Sequence, residues 1–214
     1  MITAYLFDID GTLLDSAADI AAAVAAACVD DGREPPPDGA VARYVGRPLS
    51  EMFADFCPGI SPEGIERLTG FYRERYHARH HGATRVYPCV PAMLAALPGP
   101  KSTATTKHTQ TTAAVLDLFG LRHHFQHIQG SENGRYKPDP TNLLTAAAAL
   151  GVPPAECLMV GDTPVDIEAG RRAGMRTCAV AWGYGDPGEV RRAGPDYWIE
   201  TPLELLAIQA ASWK

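Results

Sequence analysis

The 214-residue sequence lacks several features that would assign it to a specialised class of protein. No apolar run approaches the about 20 residues that a membrane-spanning helix requires. The five cysteines are odd in number and scattered, without a Cys-x-x-Cys pair. This pattern favours reduced thiols in a cytoplasmic protein over a disulfide framework or a zinc site. The chain enters an apolar segment directly at its start, so we expect no signal peptide.

Positive charge is also scarce. Nineteen Lys and Arg stand against 25 Asp and Glu, which gives a net charge of -6. A nucleic-acid-binding protein would need a basic face, so we expect neither nucleic acid nor a membrane as a partner. A small anionic ligand stays compatible, because a bound metal and a few local cations can reverse the field inside one cleft. Both a monomer and a homodimer are open.

What the sequence has is a succession of short apolar segments and helical patterns. Hydrophobic residues make up 46% of the chain, enough for a full core. The predicted strands are 2–7, 102–105, 127–129, 157–160, 176–181 and 197–199. The predicted helices between and after them are 92–96, 110–119, 141–150, 165–173 and 202–212. This alternation predicts an α/β fold with a Rossmann-like parallel sheet and helices on both faces.

One long segment, 16–82, carries no strand pattern. Its predicted helices are 19–28, 38–45, 49–56 and 62–81, with a Gly- and Pro-rich break over 32–37. A helical block that interrupts an α/β sheet after its first strand is typical of a mobile cap. We therefore predict a core domain from 1–15 and 83–214, and an inserted all-helical cap domain over 16–82.

Carboxylates stand at the carboxyl ends of two predicted strands. Asp8 and Asp10 end the first strand, and Asp162 and Asp166 follow the strand at 157–160. The carboxyl ends of parallel strands are where open α/β sheets bind ligands. Asp8 and Asp10 would place a nucleophile beside a general acid/base. Taken singly, each aspartate could instead cap a strand or a helix.

Four motifs in order carry a family resemblance. They are Asp8-x-Asp10-Gly11-Thr12, Thr105-Thr106-Lys107, Lys137-Pro138-Asp139-Pro140 and Gly161-Asp162-x-x-x-Asp166. Together they resemble the haloacid dehalogenase-like (HAD) superfamily of phosphohydrolases, and most of all its phosphoglycolate phosphatase-type members. The resemblance covers nearly the whole chain and implies a helical cap after the first motif.

The resemblance implies a Mg²⁺-dependent phosphatase. Asp8 would be the nucleophile and a metal ligand, and Asp162 the other carboxylate ligand. Asp10 would offer its backbone carbonyl to the metal while its side chain transfers protons. Asp166 would act in or just behind the ligand shell. Carboxylate and carbonyl oxygens are the ligands that Mg²⁺ prefers, and the cation cancels the repulsion between a carboxylate and a phosphate dianion.

The same resemblance implies the groups that bind phosphate. Thr105, with Thr106 as its neighbour, would bind a phosphate oxygen at a helix start, beside the loop at Gly11. Lys137 would neutralise charge on Asp8 and on the phosphoryl group. Thr12 would orient Asp10 within the same loop. Lys107 is interpreted as a charge at the rim.

The substrate is predicted only as a class: a small phosphorylated metabolite resembling phosphoglycolate. The acid at Asp10 argues against a dehalogenase, and the absence of lysine from 16–82 argues against a phosphonate-cleaving member. A phosphosugar mutase, a pyrophosphatase and a non-catalytic phosphate-binding module stay open. Arg47, in a turn between two cap helices, could pair with a second anionic group of the substrate or be a solvated arginine.

Three further features are interpreted as structural. His77 and His81 are four residues apart on a predicted helix, but they lack the context of a zinc motif. A second group, His123, His124 and His127, lies near a predicted loop. The Gly183-Tyr184-Gly185 segment lacks a nucleotide-binding fingerprint and is interpreted as a turn.

Overall fold

The computed structural model describes residues 1–132 and 134–211. The chain divides into two compact units, Met1–Leu14 with Val86–Lys214, and Asp15–Arg85. The predicted inserted segment, 16–82, lies inside the second unit. None of the described helices is both long and apolar enough to cross a membrane.

The first unit is built on a five-stranded parallel sheet, as the alternating pattern predicted. Its strands are β1 (Ala4–Phe7), β4 (Lys101–Thr103), β5 (Cys157–Gly161), β6 (Arg176–Val180) and β7 (Tyr197–Ile199). They lie in the order β4-β1-β5-β6-β7, so the chain moves to one side of β1 and then returns to the other. Such a reversal creates a crevice at the carboxyl ends of the strands. Two short strands, β2 (Leu14–Asp15) and β3 (Arg85–Val86), pair with each other at the points where the chain passes between units.

Both faces of the sheet are buried, because successive residues of each strand point to opposite sides. Tyr5 and Phe7 belong to one core cluster, and Ala4 and Leu6 belong to the other. The first face packs against α4 (Val90–Ala96), α5 (Thr109–Leu118) and α9 (Leu205–Ala211), and the second against α6 (Thr141–Leu150) and α7 (Pro164–Arg172). Burial on both faces explains why β1 and β5 are continuously apolar.

Strand β4 is polar, and hydrogen bonds made by its side chains stabilise it in the sheet. Thr103 Oγ1 donates to the carbonyl of Gln129 at 2.9 Å and accepts from its amide at 2.8 Å. The ammonium of Lys101 donates to the carbonyls of Leu97 and Gly99. The neighbouring segment is held by these side-chain bonds and a single bridge between Ser102 and His127, so the predicted strand at 127–129 was wrong.

The remaining helix predictions for this unit agree to within two residues at most ends. One helix, α8 (Pro187–Arg192), was missed because six residues are too few for a periodic pattern. It is capped by Asp186, whose side chain accepts from the amide of Glu189 at 2.8 Å. The last predicted helix, 202–212, consists of a 3₁₀ turn and α9, and Ser212 lies outside the described residues.

The second unit is helical between its terminal strand residues. It contains α1 (Ala17–Asp30), α2 (Leu49–Phe56) and α3 (Pro62–Ala78), with a 3₁₀ turn at Ala42–Tyr44. The predicted helix at 38–45 was wrong except for that turn, because Gly39 adopts a left-handed φ of 75° that interrupts a helix. Helix α3 ends three residues before the predicted end, where His80 and His81 adopt positive φ.

A buried aspartate fastens the two ends of this unit together. Asp19, in the first turn of α1, is fully buried and accepts hydrogen bonds from both the amide and hydroxyl of Thr84 at 2.7 Å. It also accepts from the amide of Ala83 and from Arg79 Nε, each at 3.0 Å. Burial alone would raise the pKa of Asp19, but the hydrogen bonds from Thr84 and Arg79 outweigh it and hold the pKa below its usual value.

Replacing Asp19 with alanine should therefore destabilise the protein by about 2–4 kcal/mol, because four donors lose their acceptor in a buried position. Equilibrium urea unfolding at neutral pH measures this loss. The control is Asp38→Asn at an exposed position of the same unit, expected within about 0.5 kcal/mol of wild type. Because the folded pKa is lowered, the contribution of Asp19 should be present above about pH 4 and should disappear in stronger acid. Equal stability of Asp19→Ala and the control would contradict this role.

Candidate active site

The register of the sheet brings the predicted carboxylates to one edge. Phe7 pairs with Thr103 on one side and with Val160 on the other. The next residue, Asp8, donates its amide to the carbonyl of Val160 at 2.9 Å, and the Phe7 carbonyl accepts from Ala104. Asp8 therefore lies between the segment leading to Thr105 and the segment leading to Asp162, at the crevice of the sheet.

A buried lysine links two of these carboxylates. Lys137 Nζ lies 2.9 Å from Asp8 Oδ1 and 2.5 Å from Asp166 Oδ1, and all three side chains are almost fully buried. Burial by itself would lower the pKa of Lys137, but attraction to Asp166 and Asp8 outweighs it and raises the pKa. The lysine is therefore a permanent cation at the centre of the site.

Asp166 serves the helix and the site together. Its Oδ2 accepts from the amide of Thr163 at 2.9 Å and from the Thr163 hydroxyl at 2.6 Å, which closes a capping box at the start of α7. Its Oδ1 remains directed at Lys137. One carboxylate oxygen of Asp166 therefore caps the helix and the other contacts Lys137, and its role toward a metal stays a prediction.

Asp162 is held from two sides. Its Oδ1 accepts from the Thr12 hydroxyl at 3.2 Å, and its Oδ2 accepts from the amide of Tyr184 at 2.8 Å. The sequence assigned Thr12 to orienting Asp10, but the bond that its hydroxyl donates orients Asp162. Gly11 has a φ of 86°, and a Cβ there would stand 2.3 Å from Asp162 Oδ2. The predicted glycine is therefore needed for close approach as well as for its backbone conformation.

The segment from Trp182 to Gly185 is the part of this site that sequence reasoning missed. A Cβ on Gly183 would stand 2.2 Å from the Cβ of Asp162, and one on Gly185 would stand 2.1 Å from its carbonyl oxygen. Trp182 Nε1 donates to the carbonyl of Thr12 at 3.1 Å, which ties this loop to the loop after β1. The signal was present: two glycines follow β6 at the same edge of the sheet as Asp8 and Asp162.

Asp10 is paired with a second lysine. Lys107 Nζ donates to Asp10 Oδ2 at 2.6 Å, and only 10% and 6% of the two side chains are exposed. The interpretation of Lys107 as a charge at the rim was therefore wrong. The segment between β4 and α5 turns inward over the crevice, which the sequence pattern could not indicate.

The predicted phosphate-binding threonines lie on this same segment. Thr105 is buried two residues beyond β4, and its Oγ1 accepts from the amide of Lys107 at 3.3 Å. Thr106 is half-buried beside it. Helix α5 begins shortly afterwards at Thr109, whose amide donates to Glu132 Oε1 at 3.1 Å.

The donor set fits a divalent cation. One oxygen each from Asp8, Asp162 and Asp166 lies within 4.8 Å of the others, and this is the metal-ligand group found among the described residues. Oxygens bound to one hard cation at about 2.0–2.6 Å can span that distance. Asp8 is buried, and neither of its carboxylate oxygens has a hydrogen-bond partner among the described residues apart from Lys137, whose Nζ lies 2.9 Å from Oδ1. A cation would bind these two oxygens. Without such a partner, burial of the carboxylate would cost free energy.

The charges are also consistent with a cation. Burial is the largest influence on Asp8 and raises its pKa to about 6, with Lys137 opposing and Asp166 and Asp10 adding to the shift. Burial, followed by repulsion from Asp166 and Asp8, raises the pKa of Asp162 well above its usual range. Both raised pKa values indicate that nearby positive charge would stabilise the ionised forms of Asp8 and Asp162.

The other predicted features lie elsewhere. Arg47 belongs to the second unit, where its guanidinium carbon lies 5.7 Å from the centre of the Tyr44 ring. His77 and His81 both pack edgewise on Tyr76, and they form no metal-ligand group with other described residues. The rings of His123 and His124 lie 3.9 Å apart at a tilt of 41°, again without the ligands of a metal site among the residues that the structure describes.

Comparison with known proteins identifies related chains. The sequence profile described as haloacid dehalogenase-like hydrolase matches residues 5–180. A phosphoglycolate phosphatase from Aquifex aeolicus is 32% identical over 207 residues, which cover 95% of this chain and 94% of the relative. A pyrophosphatase from Bacillus velezensis is 32% identical over 213 residues, covering 97% and 96%.

Solved structures share the fold. A haloacid dehalogenase-like family hydrolase from Streptococcus pneumoniae superposes with a TM-score of 0.88 and 28% identity, covering 97% of this chain and 98% of the other. The similarity therefore extends over both units of the chain and includes the strands that carry the aspartates.

The pKa shift of Asp8 predicts an unusual stability effect. Since the folded pKa of about 6 exceeds the ordinary 3.8, the metal-free folded state binds the extra proton, and stability should fall as pH rises from about 4 to 6. Asp8→Asn removes the charge, so in the presence of a chelator it should be more stable than wild type at about pH 7.5, by about 1–3 kcal/mol. At about pH 4 the two proteins should be nearly equal.

Urea unfolding at both pH values tests this difference. The matched control is Asp117→Asn, an exposed aspartate on α5 of the same unit, which should change stability by less than about 0.5 kcal/mol. If Asp8→Asn is less stable than wild type at about pH 7.5, the carboxylate is not electrostatically strained.

Proposed function

The chain belongs to the haloacid dehalogenase-like hydrolase family, and we propose that it hydrolyses small phosphate monoesters with Mg²⁺ through an aspartyl-phosphate on Asp8. The enzyme is a phosphatase of this family. The observation that carries the finer proposal is the environment of Asp8: a buried carboxylate whose one partner among the described residues is the Lys137 ammonium. A carboxylate that is used only to cap structure would have its oxygens occupied.

Asp8 is suited to act as a nucleophile. Burial raises its pKa to about 6, and the nearby Lys137 ammonium favours its ionised form. The bond from its backbone amide to the carbonyl of Val160 holds Asp8 at the end of β1, beside the crevice. A fixed, poorly solvated oxygen attacks without first losing hydrogen bonds.

Asp8, Asp162 and the backbone carbonyl of Asp10 would hold the cation, with Asp166 in or just behind its shell. When bound, Mg²⁺ neutralises the carboxylates and the phosphate dianion, which would otherwise repel each other. Each carboxylate oxygen of Asp162 accepts one described hydrogen bond, from the Thr12 hydroxyl or from the Tyr184 amide. Because each oxygen has a second lone pair, Asp162 could still bind the cation.

The reaction then needs two displacements. An oxygen of Asp8 attacks phosphorus, the bond to the leaving alkoxide breaks, and the side chain of Asp10 gives that alkoxide a proton. Water next attacks the phosphorus of the aspartyl-phosphate, Asp10 takes its proton, and inorganic phosphate departs as Asp8 is restored. Asp10 can serve first as acid and then as base, because it loses its proton in the first step and can accept one in the second.

Several groups are placed to bind the phosphoryl oxygens. Thr105 and Thr106 would donate hydrogen bonds near the start of α5, beside the loop at Gly11. Lys137 would balance the charge that is shared between Asp8 and the phosphoryl group. These roles are supported by two observations: Thr105 and Thr106 follow the strand that pairs with β1, and Lys137 Nζ lies 2.9 Å from Asp8 Oδ1.

Asp8→Asn should lower turnover of p-nitrophenyl phosphate by more than about 10³-fold, because an amide is neither a nucleophile nor a good Mg²⁺ ligand. Phosphate release measured with Mg²⁺ and with excess chelator tests the residue and the metal in one assay, with Asp117→Asn as the active control. Retention of more than a tenth of wild-type activity by Asp8→Asn, or full wild-type activity in chelator, would contradict the proposal.

The physiological substrate is proposed as a small anionic phosphoester resembling phosphoglycolate. The relatives themselves differ, one being a phosphoglycolate phosphatase and another a pyrophosphatase. Discrimination must come from groups outside the phosphoryl site, since that site recognises only what all these substrates share. We propose that the helical second unit supplies them, acting as a cap, and that the enzyme works in the cytoplasm.

Arg47 is the residue proposed to select the substrate. It is exposed, and its amide donates to the carbonyl of Tyr44 at 2.9 Å just after Gly46 turns with a φ of 89°. Tyr44 is fixed in turn by its hydroxyl, which donates to Asp55 at 2.7 Å. A guanidinium on such a braced turn can bind a carboxylate or a second phosphate in a bidentate manner.

Arg47→Ala should reduce kcat/KM for phosphoglycolate by about tenfold or more and barely change p-nitrophenyl phosphate, which has no second anion. Arg43 offers a matched control, because it is exposed and its guanidinium lies 5.2 Å from the same Tyr44 ring. Arg43→Ala should affect neither substrate. An equal effect of Arg47→Ala on both substrates, or no effect on either, would remove this role.

A further inference from the structure

The pair formed by Lys107 and Asp10 is not explained by the need to stabilise the fold. Two buried charges of opposite sign generally contribute little net stability, because both lose their hydration. The bond is short, at 2.6 Å, and it joins residues that are 97 positions apart in the sequence. It therefore links the loop after β1 to the loop after β4 at the crevice.

The backbone of Lys107 is held in place independently of this ion pair. Its carbonyl accepts from the amide of Ser131 at 2.8 Å, and the Ser131 hydroxyl donates to the carbonyl of Thr105 at 2.9 Å. Asn142, from α6, donates to the same hydroxyl at 2.9 Å. A Cβ on Gly130 would stand only 2.5 Å from the Lys107 carbonyl oxygen, so the two loops are in close contact. The ammonium thus extends from a braced segment and not from a solvated surface.

Lys107 offsets part of the negative charge in the crevice. Four carboxylates converge there, those of Asp8, Asp10, Asp162 and Asp166, and two lysines, Lys107 and Lys137, offset half of their charge. With all four carboxylates ionised, a divalent cation would bring the total to neutrality, so a phosphate dianion can enter together with the proton that Asp10 later donates. Without Lys107 the loaded site would keep one negative charge and would repel that dianion.

We propose that Lys107 is a positioning residue for Asp10 and the second fixed cation that admits the phosphate. The proposal rests on the proposed phosphatase function. Lys137 acts on Asp8 and Asp166, and Lys107 acts on Asp10, so each lysine serves a different part of the site. The ion pair holds Oδ2 of Asp10 and thereby orients its side chain for proton transfer.

The test compares Lys107→Met, Lys107→Arg and the control Arg192→Met, an exposed cation of the same unit. Calorimetry measures binding of Mg²⁺ alone and of inorganic phosphate to the Mg²⁺-loaded protein, and steady-state kinetics measures p-nitrophenyl phosphate. Lys107→Met should bind phosphate about tenfold more weakly. It should bind Mg²⁺ at least as tightly as wild type, because the site is more negative.

Its kcat should fall about 10–100-fold, since a catalytic group misplaced by about 1 Å can cost about 10²-fold in rate. Lys107→Arg should recover most of the phosphate affinity, and Arg192→Met should match wild type in all three measurements. A merely structural role predicts instead that Lys107→Met weakens Mg²⁺ and phosphate together and that Lys107→Arg fails to restore either.

The outcomes separate this inference from the proposed function. Wild-type phosphate affinity and kcat in Lys107→Met, or joint loss of Mg²⁺ and phosphate binding, would overturn the role of Lys107. If wild type binds Mg²⁺ and phosphate but does not hydrolyse p-nitrophenyl phosphate, the phosphatase mechanism fails, while the binding comparison still decides the role of Lys107 as a cation.

Discussion

The mutual repulsion of four carboxylates in one buried crevice is the constraint on which this structure depends. Asp8 and Asp162 both have raised pKa values, because burial and neighbouring carboxylates disfavour their charged forms. Such an arrangement opposes folding unless positive charge is supplied. Lys137 and Lys107 supply part of it, and the proposed cation supplies the remainder. The site therefore carries excess negative charge, which the lysines offset in part and a bound metal would offset further.

The surrounding fold holds these groups together against that repulsion. The parallel register fixes the backbone of Asp8 between its two neighbouring strands, and the capping box of α7 fixes Asp166. Gly11 and Gly183 let the chain close around Asp162 where any side chain would collide with it. The backbone bonds and the glycines do not react themselves, but they decide where the reacting oxygens lie.

Much of this arrangement follows from the sequence. The strands ending at Asp8 and before Asp162 are uninterrupted apolar runs, and parallel strands place their carboxyl ends at one edge, so the convergence of these aspartates could be predicted. Lys137 could be assigned only through the family resemblance, because no periodic pattern locates a loop lysine. The pairing of Thr12 with Asp162, and of Lys107 with Asp10, depends on how loops fold over the crevice. These contacts join residues about 100 or more positions apart, and local propensity carries no information about them.

Asp8 is the centre of the account, and trapping its phosphorylated form tests the account most directly. The protein is mixed with Mg²⁺ and p-nitrophenyl phosphate, quenched in acid during turnover and digested, and its peptides are analysed by mass spectrometry. We predict one added phosphoryl group on the peptide containing Asp8, removed by hydroxylamine and absent when Mg²⁺ is chelated. Turnover with no phosphoryl group on Asp8, or with the group on another residue, would contradict the account.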